Sequence, residues 1–156
     1  MLKNLLKKWI CNGCLYKQAN PDRPKSIQHI NLAWIKRIFK DNGILNANFS
    51  DNVYGITTLG QAKTFTRKTQ IQDIAYYAEK FDCDDFAFSL KAHWCKGLEG
   101  FAFGIAWSES HAFNIAVVQD NQTLSLFIVE PQDNLWFKVE DVKDIKKYWP
   151  LKLIII

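Results

Sequence analysis

The spacing of apolar side chains predicts helices in the first half of the chain, separated by polar loops. Ser26 can cap a helix that ends at Asp41-Asn42-Gly43 and carries apolar residues at helical spacing, at Ile27, Ile30, Trp34 and Ile38. A mixed stretch then predicts a loop over 44–59 with one short strand near 53–57. Helical spacing resumes at Ile71, Ile74, Ala75 and Ala78.

A clearer helical pattern begins at Cys83. Its apolar face consists of Cys83, Phe86, Ala87, Leu90 and Trp94, and Gly97 and Gly100 close it. Asp82 is suited to the N-cap, and Asp84 and Asp85 suit the positive end of the helix dipole. The pattern therefore places a thiol in the first turn of a helix, among three carboxylates.

Three strands are predicted to follow, over 101–107, 111–118 and 123–129. Asp120-Asn121 is an acceptable two-residue turn between the last two strands, because both residues tolerate positive φ. The hairpin register that this turn sets pairs apolar residues with one another and places His111 opposite Glu130. Opposed residues share a sheet face, so we expect these two side chains to meet.

Composition and charge narrow the class of protein. With 156 residues, 48% of them apolar, the chain can bury a core as a single domain spanning 1–156. The net charge of +4 is spread along the sequence, and no motif resembles a base-reading module, so we expect no nucleic-acid partner.

The first ten residues predict a short amphipathic helix rather than a leader peptide. Its apolar residues are Leu2, Leu5, Leu6 and Trp9, and Lys7 and Lys8 interrupt any continuous apolar segment. The apolar end of the chain, 151–156, is too short to span a bilayer. We therefore expect a cytoplasmic protein with no membrane partner, and an oligomer is compatible with the sequence.

The four cysteines leave two alternatives open. Cys11 and Cys14 have the spacing of half a zinc site, which Cys83 and Cys95 could complete. The second pair lacks the tight spacing of a zinc ribbon, however. Free, partly buried thiols in a reducing compartment are the alternative.

Cys83, His111 and Glu130 together predict a nucleophilic site. A thiol at a helix N-terminus beside a histidine can ionise near neutral pH, with His111 as general base and Glu130 orienting its ring. The adjacent aspartates oppose a thiolate, so a divalent cation on Asp84 and Asp85 would assist it. Alternatively, the aspartates only cap the helix.

Three motifs add a family resemblance: Phe-Asp-Cys-Asp-Asp-Phe-Ala at 81–87, His-Ala-Phe-Asn at 111–114 and Val-Glu-Pro-Gln at 129–132. Together they resemble papain-like cysteine peptidases, and most closely the papain-like domain of the fairy-ring mushroom agglutinin, which small phage and bacterial proteins share. The resemblance covers about 71–137 and leaves 1–70 unassigned. It implies Cys83 as nucleophile, His111 as base, Glu130 as its partner, and Ca²⁺ or Mn²⁺ with Asp84 and Asp85 as candidate ligands.

The predicted fold class is therefore α+β and papain-like, with N-terminal helices packed on a small antiparallel sheet. The predicted function is a cysteine peptidase or related hydrolase with a protein or peptide substrate, supported by a divalent cation. The alternative is a catalytically inactive protein of the same fold that acts as a phage- or bacteria-encoded protein-binding module.

Overall fold

A five-stranded antiparallel sheet forms the centre of the molecule. The computed structural model describes residues 23–96 and 99–156. The sheet consists of β3 (Phe103–Trp107), β4 (Ala112–Asp120), β5 (Thr123–Glu130), β6 (Leu135–Lys138) and β7 (Leu153–Ile155), in the order β6-β5-β4-β3-β7. The first four of these strands pair with their neighbours in the chain, and β7 returns to pair with β3.

All but one of the remaining described elements precede the sheet. They are β1 (Gln28–Asn31), α1 (Leu32–Asp41), β2 (Val53–Ile56), α2 (Leu59–Lys68), a 3₁₀ turn (Ile71–Asp73) and α3 (Cys83–Cys95). A second 3₁₀ turn, Val139–Val142, lies between β6 and β7. β1 and β2 form a separate two-stranded antiparallel sheet. In the described ranges, no helix is both long and apolar enough to cross a membrane.

Both faces of the five-stranded sheet are covered. On one face, Phe113, Ile115 and Ile128 pack with α1 and with the two-stranded sheet. On the other face, Ala116 and Val129 pack with α2 and α3. Burial on both faces explains why β4 is apolar at every position from 112 to 118 except Asn114 instead of alternating.

This arrangement corrects the predicted fold class. The expectation of a papain-like α+β fold, with N-terminal helices packed on a small sheet, is wrong. The sheet is larger than predicted, and its two faces are covered by helices from different parts of the chain. The prediction missed α2, β6 and β7, because α2 is mostly polar and the two strands are short.

Two predicted helices also differ from the structure. The first begins at Leu32 and not at Ile27, because residues 28–31 pair with β2 and the side chain of Asn31 accepts a hydrogen bond from the backbone N–H of Trp34. The helical spacing from Ile71 produces only one 3₁₀ turn, which ends at Asp73. The strand near 53–57 and the helix beginning at Cys83 are confirmed.

The predicted hairpin is correct in its strands and wrong in its register. Asn121 and Gln122 form the turn, with φ of 46° and 72°, so Val117 pairs with Leu126 rather than with Leu124. The offset is an even number of residues, and side chains alternate between faces with period two. Each side chain therefore keeps its predicted face.

Candidate functional site

The start of α3 is fixed by its own aspartates. The side chain of Asp82 accepts a hydrogen bond from the N–H of Asp84 (3.4 Å), and Asp85 Oδ2 accepts one from the N–H of Asp82 (3.2 Å). The second contact is half of a capping box, in which the Asp82 side chain also accepts from the N–H of Asp85, so the expectation that Asp82 is the N-cap is confirmed. Capping satisfies backbone donors that the first turn would otherwise leave exposed.

Cys83 is half-buried at the first position of α3. It packs with Trp107 against a small cluster formed by Ala87, Ile105 and Ala112. The thiol forms no hydrogen bond to His111 in the part of the chain that the structure describes. α3 is held on the sheet by Asn114, whose side-chain amide donates to the carbonyls of Ala87 (2.9 Å) and Gly104 (3.0 Å).

His111 and Glu130 meet as predicted. His111 Nε2 donates to Glu130 Oε2 over 2.7 Å, and both side chains are almost fully buried. The pair forms although the predicted register is wrong, because both residues keep the same sheet face. Glu130 fixes the orientation of the ring, and His111 Nδ1 has no hydrogen-bond partner among the described residues.

Two further residues complete a buried polar cluster around Glu130. Lys147 Nζ lies 2.9 Å from Glu130 Oε2, and the Tyr148 hydroxyl donates to the same oxygen over 3.1 Å. Burial raises the pKa of Glu130, but hydrogen bonds and charges from His111 and Lys147 outweigh burial and hold the pKa below its usual value. Glu130 is therefore a carboxylate that three donors hold in place.

Sequence reasoning missed both Lys147 and Tyr148. They follow a 3₁₀ turn in a polar segment that contains several lysines, and nothing in their spacing links them to Glu130. The turn before β4 reinforces the contact, because the Ser108 hydroxyl donates to the carbonyl of Lys147 (2.6 Å) and accepts from the N–H of His111 (3.1 Å). The cluster thus ties 147–148 to both β4 and β5.

The three aspartates before and within α3 form a compact group of carboxylates. One oxygen from each of Asp82, Asp84 and Asp85 lies within 4.8 Å of the others. The pKa of Asp84 is raised, chiefly by its hydrogen bond to Asp82, with burial and the charges of Asp82 and Asp85 adding to the effect. Oxygen ligands at such spacing suit a hard cation such as Ca²⁺.

A zinc site that contains both Cys83 and Cys95 is excluded by the distance between them. Cys83 and Cys95 are the two ends of α3, a helix of 13 residues. At a rise of about 1.5 Å per residue their Cα atoms are roughly 18 Å apart, whereas two thiolates on one zinc lie within about 5 Å of each other. Cys11, Cys14 and the predicted helix over 1–10 lie outside the described residues.

Comparison with known families decides the classification. Residues 25–145 match the family described as the ricin-type beta-trefoil lectin C-terminal domain. The chain belongs to this family. A search of curated proteins gives no match.

Two solved structures are similar to this chain in fold. The chain is similar to a protein whose structure is entitled "PSL1a-E64 complex", with TM-score 0.66, 18% identity and coverage of 82% of this chain and 51% of that chain. It is also similar to Polyporus squamosus lectin bound to the human-type influenza-binding epitope Neu5Aca2-6Galb1-4GlcNAc, with TM-score 0.65, 20% identity and coverage of 82% and 49%. This chain spans about half the length of each of the two.

Membership of the lectin C-terminal domain family corrects the central prediction. The papain-like peptidase fold and the function of a cysteine hydrolase or thiol protease are wrong, because the family that the chain matches is a lectin family. Of the predicted resemblance to a mushroom agglutinin, only the relation to lectins is supported. The alternative prediction, a binding module, agrees better with membership of a lectin family. The individual roles of Cys83, His111 and Glu130 stay predictions.

Proposed function

We propose that this chain is a saccharide-binding domain, and that its binding surface surrounds the start of α3. Its family and the saccharide bound by one structural relative support the choice of ligand class. The observation that carries the proposal is a group of exposed aromatic side chains on both sides of the aspartates at this helix end. A saccharide replaces the peptide substrate that the sequence alone suggested.

The aromatic side chains come from two segments that meet near α3. Phe88, one turn beyond Asp84, is 52% exposed, and its ring packs on Trp107 with centroids 5.8 Å apart. Tyr76 and Tyr77 are exposed on the segment before α3, which two backbone hydrogen bonds between Tyr77 and Phe81 (2.8 and 3.0 Å) hold in place. Exposed aromatic groups of this kind mark interaction surfaces.

The chemistry of this surface suits a sugar ring. An aromatic face packs against the C–H groups of a pyranose, while a carboxylate accepts hydrogen bonds from its hydroxyls. Asp84 is exposed in the first turn of α3, one helical turn before Phe88. A carboxylate and an aromatic ring therefore lie on the same face of the helix.

Removing the exposed aromatic rings should weaken saccharide binding. We expect Phe88→Ala and Tyr77→Ala each to reduce affinity for an immobilised glycan about tenfold, because each removes an aromatic contact worth about 1–1.5 kcal/mol. Binding is measured on a glycan array and then by calorimetry with the best ligand.

Trp34→Ala is the matched control, since Trp34 is a comparably exposed aromatic residue on α1. It should bind as the parent protein does. If the parent protein binds no glycan on the array, the proposed function is wrong. If Trp34→Ala weakens binding while Phe88→Ala and Tyr77→Ala do not, the surface is misplaced.

The predicted Ca²⁺ or Mn²⁺ is retained as part of this proposal. The aspartates fit a hard cation in donor type and spacing. The pKa of Asp84 is raised chiefly by its hydrogen bond to Asp82, and a cation would offset the negative charges of Asp82 and Asp85 that add to this rise. Such an ion would present open coordination positions to saccharide hydroxyls.

Calcium should stabilise the folded protein through these carboxylates. At a Ca²⁺ concentration of about 100 times Kd, the free energy of unfolding should rise by about 2.7 kcal/mol, because the ion binds only the folded state. Thermal unfolding with Ca²⁺ and with EDTA measures the shift. Asp84→Asn should remove it, whereas Asp73→Asn, at an exposed carboxylate in the 3₁₀ turn, should retain it. An equal shift in Asp84→Asn would place the ion elsewhere.

A further inference from the structure

The segment that leads into α3 exposes large apolar side chains together. Every residue from 73 to 80 is exposed, and two backbone hydrogen bonds (2.8 and 3.0 Å) join Tyr77 to Phe81, just before the helix. The large apolar side chains that are 41–60% exposed in this segment and on α3 are Ile74, Tyr76, Tyr77 and Phe88. We call the surface of residues 73–88 the α3-entry surface. Folded chains rarely leave such a patch without a partner.

Carboxylates accompany the exposed rings on this surface. Between 71 and 88 the chain has five acidic residues and one basic residue, Lys80. The acidic residues are Asp73, Glu79, Asp82, Asp84 and Asp85. Within the described ranges, none of the five forms an ion pair with a lysine or an arginine. A partner that fits the α3-entry surface would therefore combine an apolar centre with positive charge.

The first ten residues of the chain have this complementary composition. The sequence predicts an amphipathic helix over 1–10, a segment outside the described residues, and its apolar stripe consists of Leu2, Leu5, Leu6 and Trp9. At about 100° per residue, Lys3 and Lys7 fall on one side of the stripe and Lys8 falls on the other. No carboxylate is present among these ten residues. The segment would thus present an apolar face between cationic edges.

The connection between this segment and the described chain is long enough to reach the α3-entry surface. Arg23 donates a hydrogen bond to the backbone carbonyl of Trp94, in the last turn of α3. Trp94 and Asp84 are ten residues apart on this helix, a distance of about 15 Å along its axis. Residues 11–22 can span up to about 40 Å when extended. A tether of this kind gives an effective concentration on the order of millimolar, so even weak docking would be populated.

We propose that residues 1–10 dock on the α3-entry surface of the same chain and act as an autoinhibitory segment. The apolar stripe packs on the exposed rings, and the lysines lie beside the carboxylates. The docking depends only on this chain's own residues, whereas the regulatory role rests on the proposed function, because the segment and a saccharide compete for Tyr77 and Phe88. Salt screens the attraction between the charges, so high ionic strength should release the segment.

Amide hydrogen exchange tests the docking without any saccharide. The N–H groups of 74–80 that donate to no atom of the described chain are those of Ala75, Tyr76, Ala78 and Glu79. On an uncovered surface these groups exchange rapidly. In the full chain, with EDTA and low salt, we expect them to exchange about tenfold more slowly than in the double variant Lys7→Glu/Lys8→Glu, whose reversed charges repel the segment from the carboxylates.

Two further variants separate docking from a general effect of charge. Lys17→Glu, the same change in the connection outside the predicted helix, should exchange as the parent does. Adding Glu79→Lys to Lys7→Glu/Lys8→Glu should restore most of the protection, because the charges are then exchanged between the two surfaces. Equal exchange in the parent and in Lys7→Glu/Lys8→Glu overturns the docking. Protection that increases with protein concentration also overturns it, because the segment would then cover a second molecule.

Saccharide binding tests the autoinhibitory role. Lys7→Glu/Lys8→Glu should bind a glycan about tenfold more tightly than the parent, by the same factor as the change in exchange, because both quantities report the fraction of molecules with an uncovered surface. Glycan affinity that is equal in the two proteins, despite a difference in exchange, overturns the autoinhibitory role. The absence of glycan binding in both overturns the proposed function and this role with it, while the exchange rates still decide whether the segment docks.

Discussion

Replacing Gly104 by alanine is expected to lower the free energy of unfolding by about 3 kcal/mol or more. A Cβ atom at this position would lie 2.3 Å from the carbonyl oxygen of Ile155 and 3.0 Å from the Cα of Ile156. Both atoms belong to backbone, so β7 would have to move away from β3, at the upper end of the cost of overpacking a core. Chemical denaturation followed by tryptophan fluorescence measures the change.

Gly60 provides the matched control for this substitution. It lies in the first turn of α2, and a Cβ atom there would meet no atom within 4 Å. Gly60→Ala should therefore stabilise the protein by roughly 0.5–1 kcal/mol, since alanine is the better helix former. A Gly104→Ala protein as stable as its parent would show that β7 does not lie against β3 as described.

Replacing Glu130 by glutamine is expected to cost about 2–3 kcal/mol of stability at pH 7. Glutamine has the same shape but no charge, so His111, Lys147 and Tyr148 would lose their common acceptor. Breaking a fully buried ion pair costs about 3–5 kcal/mol, and the partial exposure of Lys147 reduces that figure. Urea denaturation measures it, with Glu140→Gln as the control at an exposed glutamate.

The loss of stability caused by Glu130→Gln should depend on pH, and the depressed pKa of Glu130 gives the direction. The folded-state pKa of Glu130 is depressed below its usual 4.5, so its contribution to stability is present above that value and is lost as pH falls through the folded-state pKa. The stability difference between the parent and Glu130→Gln should therefore be full at pH 7 and shrink below about pH 4. A difference that stays constant down to pH 2 would contradict the assigned ion pair.

The contact between His111 and Glu130 shows which part of the site the sequence could predict. The apolar pattern of β4 and β5 predicted which side chains share a face, and that choice depends only on whether positions are odd or even. The turn was predicted one position early, because Asp and Asn favour turns with positive φ, whereas the observed turn places Gln122 in that conformation. The contact was therefore predicted correctly from a register that was wrong.

Other features depend on contacts that no local pattern encodes. Lys147 and Tyr148 reach Glu130 only because β7 and the segment before it fold back across the sheet. Ile71 and the residues after it have helical spacing, yet the chain leaves the helix at Asp73 and forms an exposed segment. The family was misassigned because the prediction rested on the order of a cysteine, a histidine and a carboxylate along the chain. That order does not show whether the three side chains meet.

The strand order β6-β5-β4-β3-β7 also determines how the chain can assemble. Strands β3 to β6 pair with their neighbours in sequence, so the loops that must close are short and their entropy cost is small. β7 pairs with β3 only after a long connection that passes β4, β5 and β6. Pairings of short sequence separation form fastest. The four-stranded meander can therefore fold early, while the docking of β7, which brings Lys147 and Tyr148 to Glu130, comes last.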